Sequence, residues 1–292
     1  MATTDSPLAG VTWMFAAALA FAVSFIFVRE LSGTYTIFQI VLMRYAFGFV
    51  FLSPWIVRTR PKLLPDRQLW YHVQRAGLIY CGLFAAYYSV TVIALADSMA
   101  LQFTLPVFAS LIAIAFLGER PPPHRWIAIA AGLGGAMVIL RPGLMAINVG
   151  MLVAVSAAAF YGASDVTTRY LSRTFSTSEI VFYGYVLQIP LAAILTAPGW
   201  VTPPVADWPV IVAFALAAFA SQWCLTHAYG KADASLVSPV LFARLPIAAA
   251  LAWLFFGEAT DLWTWVGATL IFAGTTWSAR QEVRLMNKAA RV

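Results

Sequence analysis

The sequence is poor in charged residues. Asp, Glu, Lys and Arg make up only 10% of its 292 residues, against roughly 25% in a typical soluble domain. So few charges cannot cover a water-facing surface, whereas 62% of the residues are hydrophobic and the mean hydropathy is +0.82. The composition therefore excludes a soluble globular protein and predicts one whose apolar surface faces lipid.

Cysteines and catalytic motifs are also scarce. The two cysteines, Cys81 and Cys224, lie within apolar stretches and match no metal or redox spacing. The sequence contains no His-Glu-x-x-His motif, no Gly-x-Ser-x-Gly motif and no acidic Mg²⁺ cluster. These absences predict a protein that is not an enzyme and that needs no cofactor or metal.

Long hydrophobic runs are abundant instead. A membrane-spanning helix needs roughly 20 mostly apolar residues, and ten segments meet this requirement between turns rich in Pro, Gly and charge. They are 9–28, 36–57, 75–95, 98–117, 125–141, 149–169, 178–197, 209–229, 234–256 and 262–280. The predicted fold class is an all-α integral membrane protein with ten transmembrane helices.

The positions of the basic residues predict the orientation of the chain. If the N-terminus is cytoplasmic, most of the 18 Lys and Arg residues fall in loops on one side. Arg29 and Arg141 fall on the other side, and Arg44 and Arg244 lie within helices. The positive-inside rule then places both termini in the cytoplasm of a bacterial inner membrane, which requires an even number of spans.

The two halves of the sequence resemble each other. Matching positions are Gly10 with Gly150, Ser24 with Ser164, Arg29 with Arg169, Tyr45 with Tyr185, and Gly118-Glu119 with Gly257-Glu258. Because each half has five helices, an odd number, the second must be inverted relative to the first. Inverted repeats are typical of secondary transporters, whose substrate sites lie where the halves meet. We therefore predict a first repeat at 1–145, an inverted repeat at 146–281 and a cytoplasmic tail at 282–292.

Two stretches carry a resemblance to a known family. The first runs from Ala94-Leu-Ala-Asp-Ser through Leu105-Pro106 to Phe116-Leu-Gly-Glu119, and the second from Lys231-Ala-Asp through Leu245-Pro246 to Phe256-Gly-Glu258. Both resemble the fourth-helix signature of the drug/metabolite transporter superfamily, EamA type, and the resemblance extends over nearly the whole chain. It implies a secondary transporter that exports small metabolites or drugs by alternating access around a central cavity. The second half departs from the first by placing Gly184 where the first has Arg44.

Aromatic and polar side chains on several helices are spaced to share a helical face and line a cavity. The predicted substrate-binding residues are Tyr80, Phe84, Tyr87, Tyr88, Gln102, Phe103, Tyr161, Gln222, Trp223, Ser238, Phe242 and Arg244. Aromatic rings supply contact area, while amides and hydroxyls fix orientation. Helix packing by the same rings stays an alternative. This aromatic interior is similar to that of YddG-type exporters, which implies neutral or aromatic amino acids as cargo.

Charges inside a membrane are costly and point to function. Arg44 could bind a substrate carboxylate, and Arg244 has no counterpart in the other half, although structural pairing stays open for both. Export of anionic metabolites or drugs is therefore a second hypothesis, and an intramembrane enzyme is a third that the missing motifs disfavour. The expected partners are a small-molecule substrate and the lipid bilayer, without nucleic acid, and a monomer is compatible with the sequence.

The aromatic positions generate a first prediction. Replacing Phe103 or Trp223 with Ala removes a ring from the expected cavity, so the preference among substrates should change while membrane insertion is retained. Uptake of an amino-acid panel into proteoliposomes measures the preference. Unaltered transport of the whole panel after both replacements would contradict the cavity assignment.

Overall fold

A computed structural model shows a bundle of α-helices and describes residues 7–59, 69–117, 123–142, 148–172, 174–175, 177–231 and 237–289. Within these residues the α-helices are α1 (Pro7–Leu31), α2 (Ile37–Thr59), α3 (Leu69–Val92), α4 (Leu95–Gln102), α5 (Leu105–Leu117), α6 (Pro123–Leu140), α7 (Val149–Leu171), α8 (Thr177–Thr196), α9 (Trp208–Lys231), α10 (Arg244–Phe256) and α11 (Leu262–Ala289). Short 3₁₀ helices are formed by Ala197–Gly199, Val205–Asp207 and Ser238–Ala243.

The helices confirm the all-α membrane fold. In the part of the chain that the structure describes, 8 stretches are long and apolar enough to cross a membrane. Helices α4 and α5 together form one of them. The two other long helices, α3 with 24 residues and α11 with 28 residues, are more polar. Ten spans therefore remain the prediction, since the number depends on α3 and α11 crossing as well.

Several helix ends differ from the prediction. The third helix begins at Leu69, not near 75, and Arg75 within it bonds to oxygens of neighbouring helices. The turn expected at Ala96-Asp97 lies earlier, since α4 already begins at Leu95. Helix α11 continues to Ala289, through most of the segment predicted as a tail.

Two of the spans are interrupted at equivalent places in the repeats. Helix α4 ends at Gln102 and α5 begins at Leu105, with Pro106 as its second residue. In the second repeat, a 3₁₀ helix leads into α10, whose third residue is Pro246. Proline is tolerated in the first turn, where its missing N–H would have no intrahelical acceptor. Both prolines therefore start new helical segments inside the bundle.

The repeats pack against each other in a symmetric pattern. Helix α1 packs on α9 and its repeat counterpart α7 packs on α3, while α2 packs on α8, α4 on α10 and α6 on α11. Exchanging the repeats maps the pair α1–α9 onto α7–α3 and returns the pairs α2–α8 and α6–α11. The contact of α4 with α10 joins the fourth span of the first repeat to its equivalent span in the second. The fully buried rings of Phe25, Tyr87 and Phe214 lie in the core between the halves.

Helices α6 and α11 approach each other through glycines. A Cβ atom on Gly135 would lie 2.5 Å from the carbonyl oxygen of Gly267, and one on Gly267 would lie 2.5 Å from that of Gly135. Small residues allow membrane helices to pack with their backbones in contact. The neighbouring Gly134 is different, because a Cβ there would meet Leu270 at an ordinary 3.7 Å.

This close approach gives a matched pair of substitutions. Gly135→Ala should destabilise the protein by about 1–3 kcal/mol because the backbone of α11 must move. Gly134→Ala should be neutral or stabilising, since Ala is favoured over Gly within a helix. Thermal unfolding in detergent, followed by size-exclusion chromatography, measures the difference. Equal midpoints for the two variants would contradict the close approach.

Candidate functional site

The helix ends form two faces. The basic face contains the end of α2, the starts of α3 and α8, the end of α9, and Arg280 and Arg284 of α11. The opposite face contains the ends of α1, α3, α8 and α10 together with the starts of α2 and α11. Under the predicted orientation, the basic face is the cytoplasmic one.

A cavity of about 330 Å³ lies between α2, α3, α8 and α9 and extends from the middle of these helices toward the basic face. We call it the arginine cavity. It is lined by Arg44, Tyr45, Leu52, Arg75, Ile79, Val181, Gly184, Tyr185, Gln188, Phe219, Gln222, Trp223, Thr226 and His227. Its volume is at the lower end of the roughly 300–1,000 Å³ found for small-molecule sites.

Two arginines give the cavity its charge. Nη1 of Arg44 donates to the hydroxyl of Tyr87 at 2.9 Å. Nε of Arg75 donates to Oγ1 of Thr168 at 2.6 Å, and its Nη1 donates to the carbonyl oxygen of Ile180 at 3.3 Å. All three acceptors are neutral, so these hydrogen bonds hold the guanidinium groups without neutralising them.

Repeat-related residues meet at this cavity. The rings of Tyr45 and Tyr185 pack edge to face with centroids 5.6 Å apart. Gly48 makes room for Tyr185, since a Cβ there would lie 2.5 Å from the ring. A Cβ on Gly184 would lie 3.4 Å from Nη1 of Arg75. The second repeat has Gly184 where the first has Arg44. This difference has a structural consequence, because a larger residue at 184 would crowd Arg75.

A second arginine site lies where the interrupted helices meet. The guanidinium of Arg244 lies 4.4 Å from the ring centroid of Phe103 and 5.0 Å from that of Phe21. Phe103 packs on Phe242 at 4.2 Å, and Phe242 packs on Phe272 at 4.6 Å. We call these five residues the Arg244 cluster. Cation–π contacts of this kind contribute about 2 kcal/mol or more where the cation is desolvated.

The charge of Arg244 is incompletely satisfied. Its Nε is buried and has no hydrogen-bond partner among the described residues. Arg244 is also the first residue of α10, where the helix dipole disfavours a cation. An unpaired buried N–H costs about 1–3 kcal/mol, and more for a charged group. A ligand acceptor at this position would remove that cost.

Tyr161 on α7 relates electrostatically to both arginine sites, since it lies within range of Arg44 and of Arg244. Its ring packs over Gly82, where a Cβ would be 3.0 Å from the ring atoms.

The structure brings several of the predicted site residues to these two places. Phe103, Phe242 and Arg244 form the cluster, while Gln222 and the half-exposed Trp223 line the cavity. Tyr87 anchors Arg44, and Tyr161 lies within electrostatic range of Arg44 and Arg244, as described above.

The other predicted residues lie elsewhere. Phe84 stacks between Phe38 and Tyr88, and Gln102 donates to Ser98 within α4 at 3.3 Å. The hydroxyl of Tyr80 is buried without a partner in the described part of the chain. The side chain of Ser238 lies outside the described residues. Tyr80, Phe84, Tyr88 and Gln102 are not among the described lining residues of the cavity or in the cluster.

Sequence reasoning missed other contributors. Tyr45 and Tyr185 were recognised as a repeat match, which was a usable signal, but not as lining residues. Arg75 was placed in a loop, so its side chain was not considered for the site. Phe21 lies on an almost uniformly apolar helix, where no pattern distinguishes it from lipid-facing residues.

The opposite face is closed by polar contacts between the repeats. Arg29 forms an ion pair with Glu258, and Arg141 forms one with Asp261. Glu258 also accepts a hydrogen bond from the backbone N–H of Leu95 at 3.2 Å. Each contact joins a residue of the first half to one of the second.

Further hydrogen bonds reinforce this closure. Oγ1 of Thr264 donates to Asp97, and Nε2 of Gln39 donates to the carbonyl oxygen of Val201 at 2.6 Å. In the loop after α1, the hydroxyl of Tyr35 donates to Asp207. Burial and this hydrogen bond to a carboxylate raise the pKa of Tyr35 to about 12, so the tyrosine remains a donor at physiological pH.

Comparisons with known proteins agree with this architecture. The model of the EamA-like transporter family matches the chain twice, at residues 8–141 and 148–280. A solved crystal structure matches with a TM-score of 0.63 and 17% identity, covering 96% of this chain and 99% of the other, which shows a shared fold.

Curated relatives are transporters. A riboflavin transporter of Rhizobium johnstonii is 32% identical over 96% of this chain and 94% of its own. One of Vibrio cholerae is 30% identical over 99% of this chain and 100% of its own. A pseudopaline exporter of Pseudomonas aeruginosa is 28% identical over 90% of this chain and 93% of its own. These findings support a secondary transporter of small molecules in a bacterial inner membrane. The chain belongs to the EamA-like transporter family.

Proposed function

We propose that this protein transports a planar heteroaromatic metabolite, with riboflavin as the first candidate. The observation that carries the proposal is the Arg244 cluster. It combines closely packed aromatic rings with a buried guanidinium N–H that has no acceptor among the described residues. A planar ring with carbonyl groups at its edge satisfies both features.

The physical match concerns stacking and hydrogen bonding together. A fused ring can stack offset on Phe103 or Phe242, and such aromatic pairs contribute about 0.5–1.5 kcal/mol beyond the burial of area. A ring carbonyl can accept a hydrogen bond from the guanidinium, and bonds to charged groups contribute about 1.5–3 kcal/mol. Aliphatic cargo would satisfy the second requirement but not the first.

The relatives support this class of cargo. Two relatives that are 32% and 30% identical over 96% and 99% of this chain are both named as riboflavin transporters. S-adenosylmethionine uptake transporters of Rickettsia, such as that of Rickettsia bellii at 22% identity, also match over 96% of this chain. Their cargo likewise contains a planar heteroaromatic ring. Since one relative is named for uptake and another for export, the export expected from the sequence stays a prediction.

Neutral and aromatic amino acids are the second candidate. Phenylalanine and tryptophan also combine a ring with a carboxylate that Arg244 could bind. Their rings are smaller than a fused tricycle and would leave more of the aromatic surface uncovered. A direct competition between the two classes therefore decides between them.

Transport of labelled riboflavin into proteoliposomes tests the first candidate. Excess unlabelled riboflavin should suppress uptake, whereas phenylalanine and tryptophan should not. Uptake of labelled tryptophan that riboflavin fails to reduce would instead identify amino acids as the cargo. Absence of riboflavin uptake under a range of imposed gradients would contradict the proposal.

Substitutions locate the site of transport. Arg244→Met and Phe103→Leu should each raise the apparent KM for riboflavin about tenfold, which corresponds to roughly 1.4 kcal/mol of lost binding. Arg280→Met and Phe255→Leu are matched controls, since both side chains are exposed away from the cluster. Equal effects of cluster and control substitutions would exclude the Arg244 cluster as the binding site.

A further inference from the structure

The arginines of this protein differ in their partners according to their location. Arg29 and Arg141, on the opposite face, each form an ion pair with a carboxylate. Arg44 and Arg75, at the arginine cavity, donate the hydrogen bonds described above to neutral oxygens. Carboxylates therefore pair with arginines at the opposite face, where the bundle is closed. None is present in the described lining of the arginine cavity, where the bundle is open.

Two acidic residues lie close to the cavity without lining it, Asp165 on α7 and Glu179, which precedes Ile180 on α8. Asp165 is within electrostatic range of Arg75. It lines a different cavity, together with Arg125 and Arg169, between α5, α6, α7 and α11. The described lining of the arginine cavity contains no Asp or Glu.

Keeping a guanidinium group out of water without a counter-ion is expensive, at an effective several kcal/mol per ion. A cavity with one sign of charge and low-dielectric walls also concentrates ions of the other sign. The arginine cavity offers the guanidinium groups of Arg44 and Arg75 beside neutral polar side chains, including Gln222 and Thr226. Its aromatic wall is formed by Phe219 and Trp223, whose rings stack with centroids 5.8 Å apart.

We propose that the arginine cavity is a binding site for an aromatic organic anion. Its carboxylate or phosphate monoester lies between Arg44 and Arg75, and its ring lies against Phe219 and Trp223. The site is separate from the Arg244 cluster. The proposal of an anion site does not depend on whether the transported cargo is a flavin.

Thermal unfolding of the purified protein with simple probes tests the site. Phenyl phosphate and benzoate should raise the unfolding midpoint in a concentration-dependent way, as a ligand of the folded state does. Benzyl alcohol, which has the same ring without a charge, should not. The stronger of the two anions identifies phosphate or carboxylate as the preferred group. Equal shifts from benzyl alcohol, or no shift from either anion, would overturn the proposal.

Variants assign the binding to the cavity. Arg75→Gln should weaken the anion at least tenfold, and Arg75→Lys should restore only part of the loss because lysine lacks the planar fork of donors. Arg44→Gln should act similarly, but Arg75 decides the matter if loss of the Tyr87 contact impairs folding. Arg58→Gln removes an exposed charge from the same face and should leave the midpoint shift unchanged. Anion binding that survives both cavity substitutions would refute the assignment.

The cross-repeat contacts of the opposite face support a second, independent inference. Glu258 is their centre, since it pairs with Arg29 and accepts from the N–H that begins α4. Asp261, three residues later, pairs with Arg141. We infer that these carboxylates form a latch that holds the opposite face closed while the arginine cavity is accessible.

The rate at which a maleimide labels an introduced cysteine measures whether the latch is closed. Ser98 on α4 is fully buried, so a cysteine placed there in a Cys81→Ser/Cys224→Ser background should react slowly with a maleimide. Glu258→Gln, alone or with Asp261→Asn, should raise the labelling rate several-fold. Glu30→Gln removes an exposed charge near the same face and should have no effect.

A second reporter separates opening from unfolding. Ala76, which is 2% exposed, lies on α3 near the basic face. A cysteine there should remain protected when the opposite face opens. The latch proposal would be overturned if Glu258→Gln did not change the labelling rate of Ser98→Cys. It would also be overturned if the labelling of Ser98→Cys and of Ala76→Cys rose together.

Discussion

The need to provide partners for arginines that are withdrawn from water organises this structure. At the opposite face the partners are carboxylates of the other repeat, so the same contacts that neutralise Arg29 and Arg141 also join the halves. In the interior, the partners are aromatic faces for Arg244 and a phenol for Arg44. Those partners hold the side chains but leave positive charge available to a ligand. The same need to provide partners for arginines therefore accounts for the contacts that close the opposite face and for the positive charge that is available to a ligand in the interior.

Much of the fold could be predicted because it depends on local and periodic features. The length of apolar runs indicates spans, and the matching halves indicate repeats, which the two family matches confirm. Pro106 and Pro246 occupy equivalent places in the two stretches that carry the family resemblance. In the structure each lies in the first turn of a new helical segment, where proline is tolerated. The position of a proline in the sequence does not show whether the helix is interrupted before the proline or after it.

The site was harder to predict because it depends on contacts between distant helices. Arg75 looked like a loop residue, and its place in the cavity depends on acceptors from α7 and α8. Phe21 contributes to the Arg244 cluster only because α1 packs beside the interrupted helix that begins with Arg244. Neither contact can be predicted from the spacing of residues or from composition. By contrast, the sequence names Phe103, Phe242 and Arg244 as candidate site residues, because aromatic side chains and a charge within apolar segments are visible in it. Their role in binding stays a prediction.

The repeats are similar enough to share a fold but differ at the site, and the difference has a consequence for transport. Gly184 occupies the position equivalent to Arg44, so exchanging the repeats does not reproduce the arginine cavity. An anion bound there would meet two guanidinium groups in this conformation, and a state closed on the basic face would present a different set. A ligand shifts an equilibrium between states only through a difference in its affinity for them. The asymmetry of Arg44 and Gly184 supplies such a difference, which a strictly symmetric pair of repeats would lack.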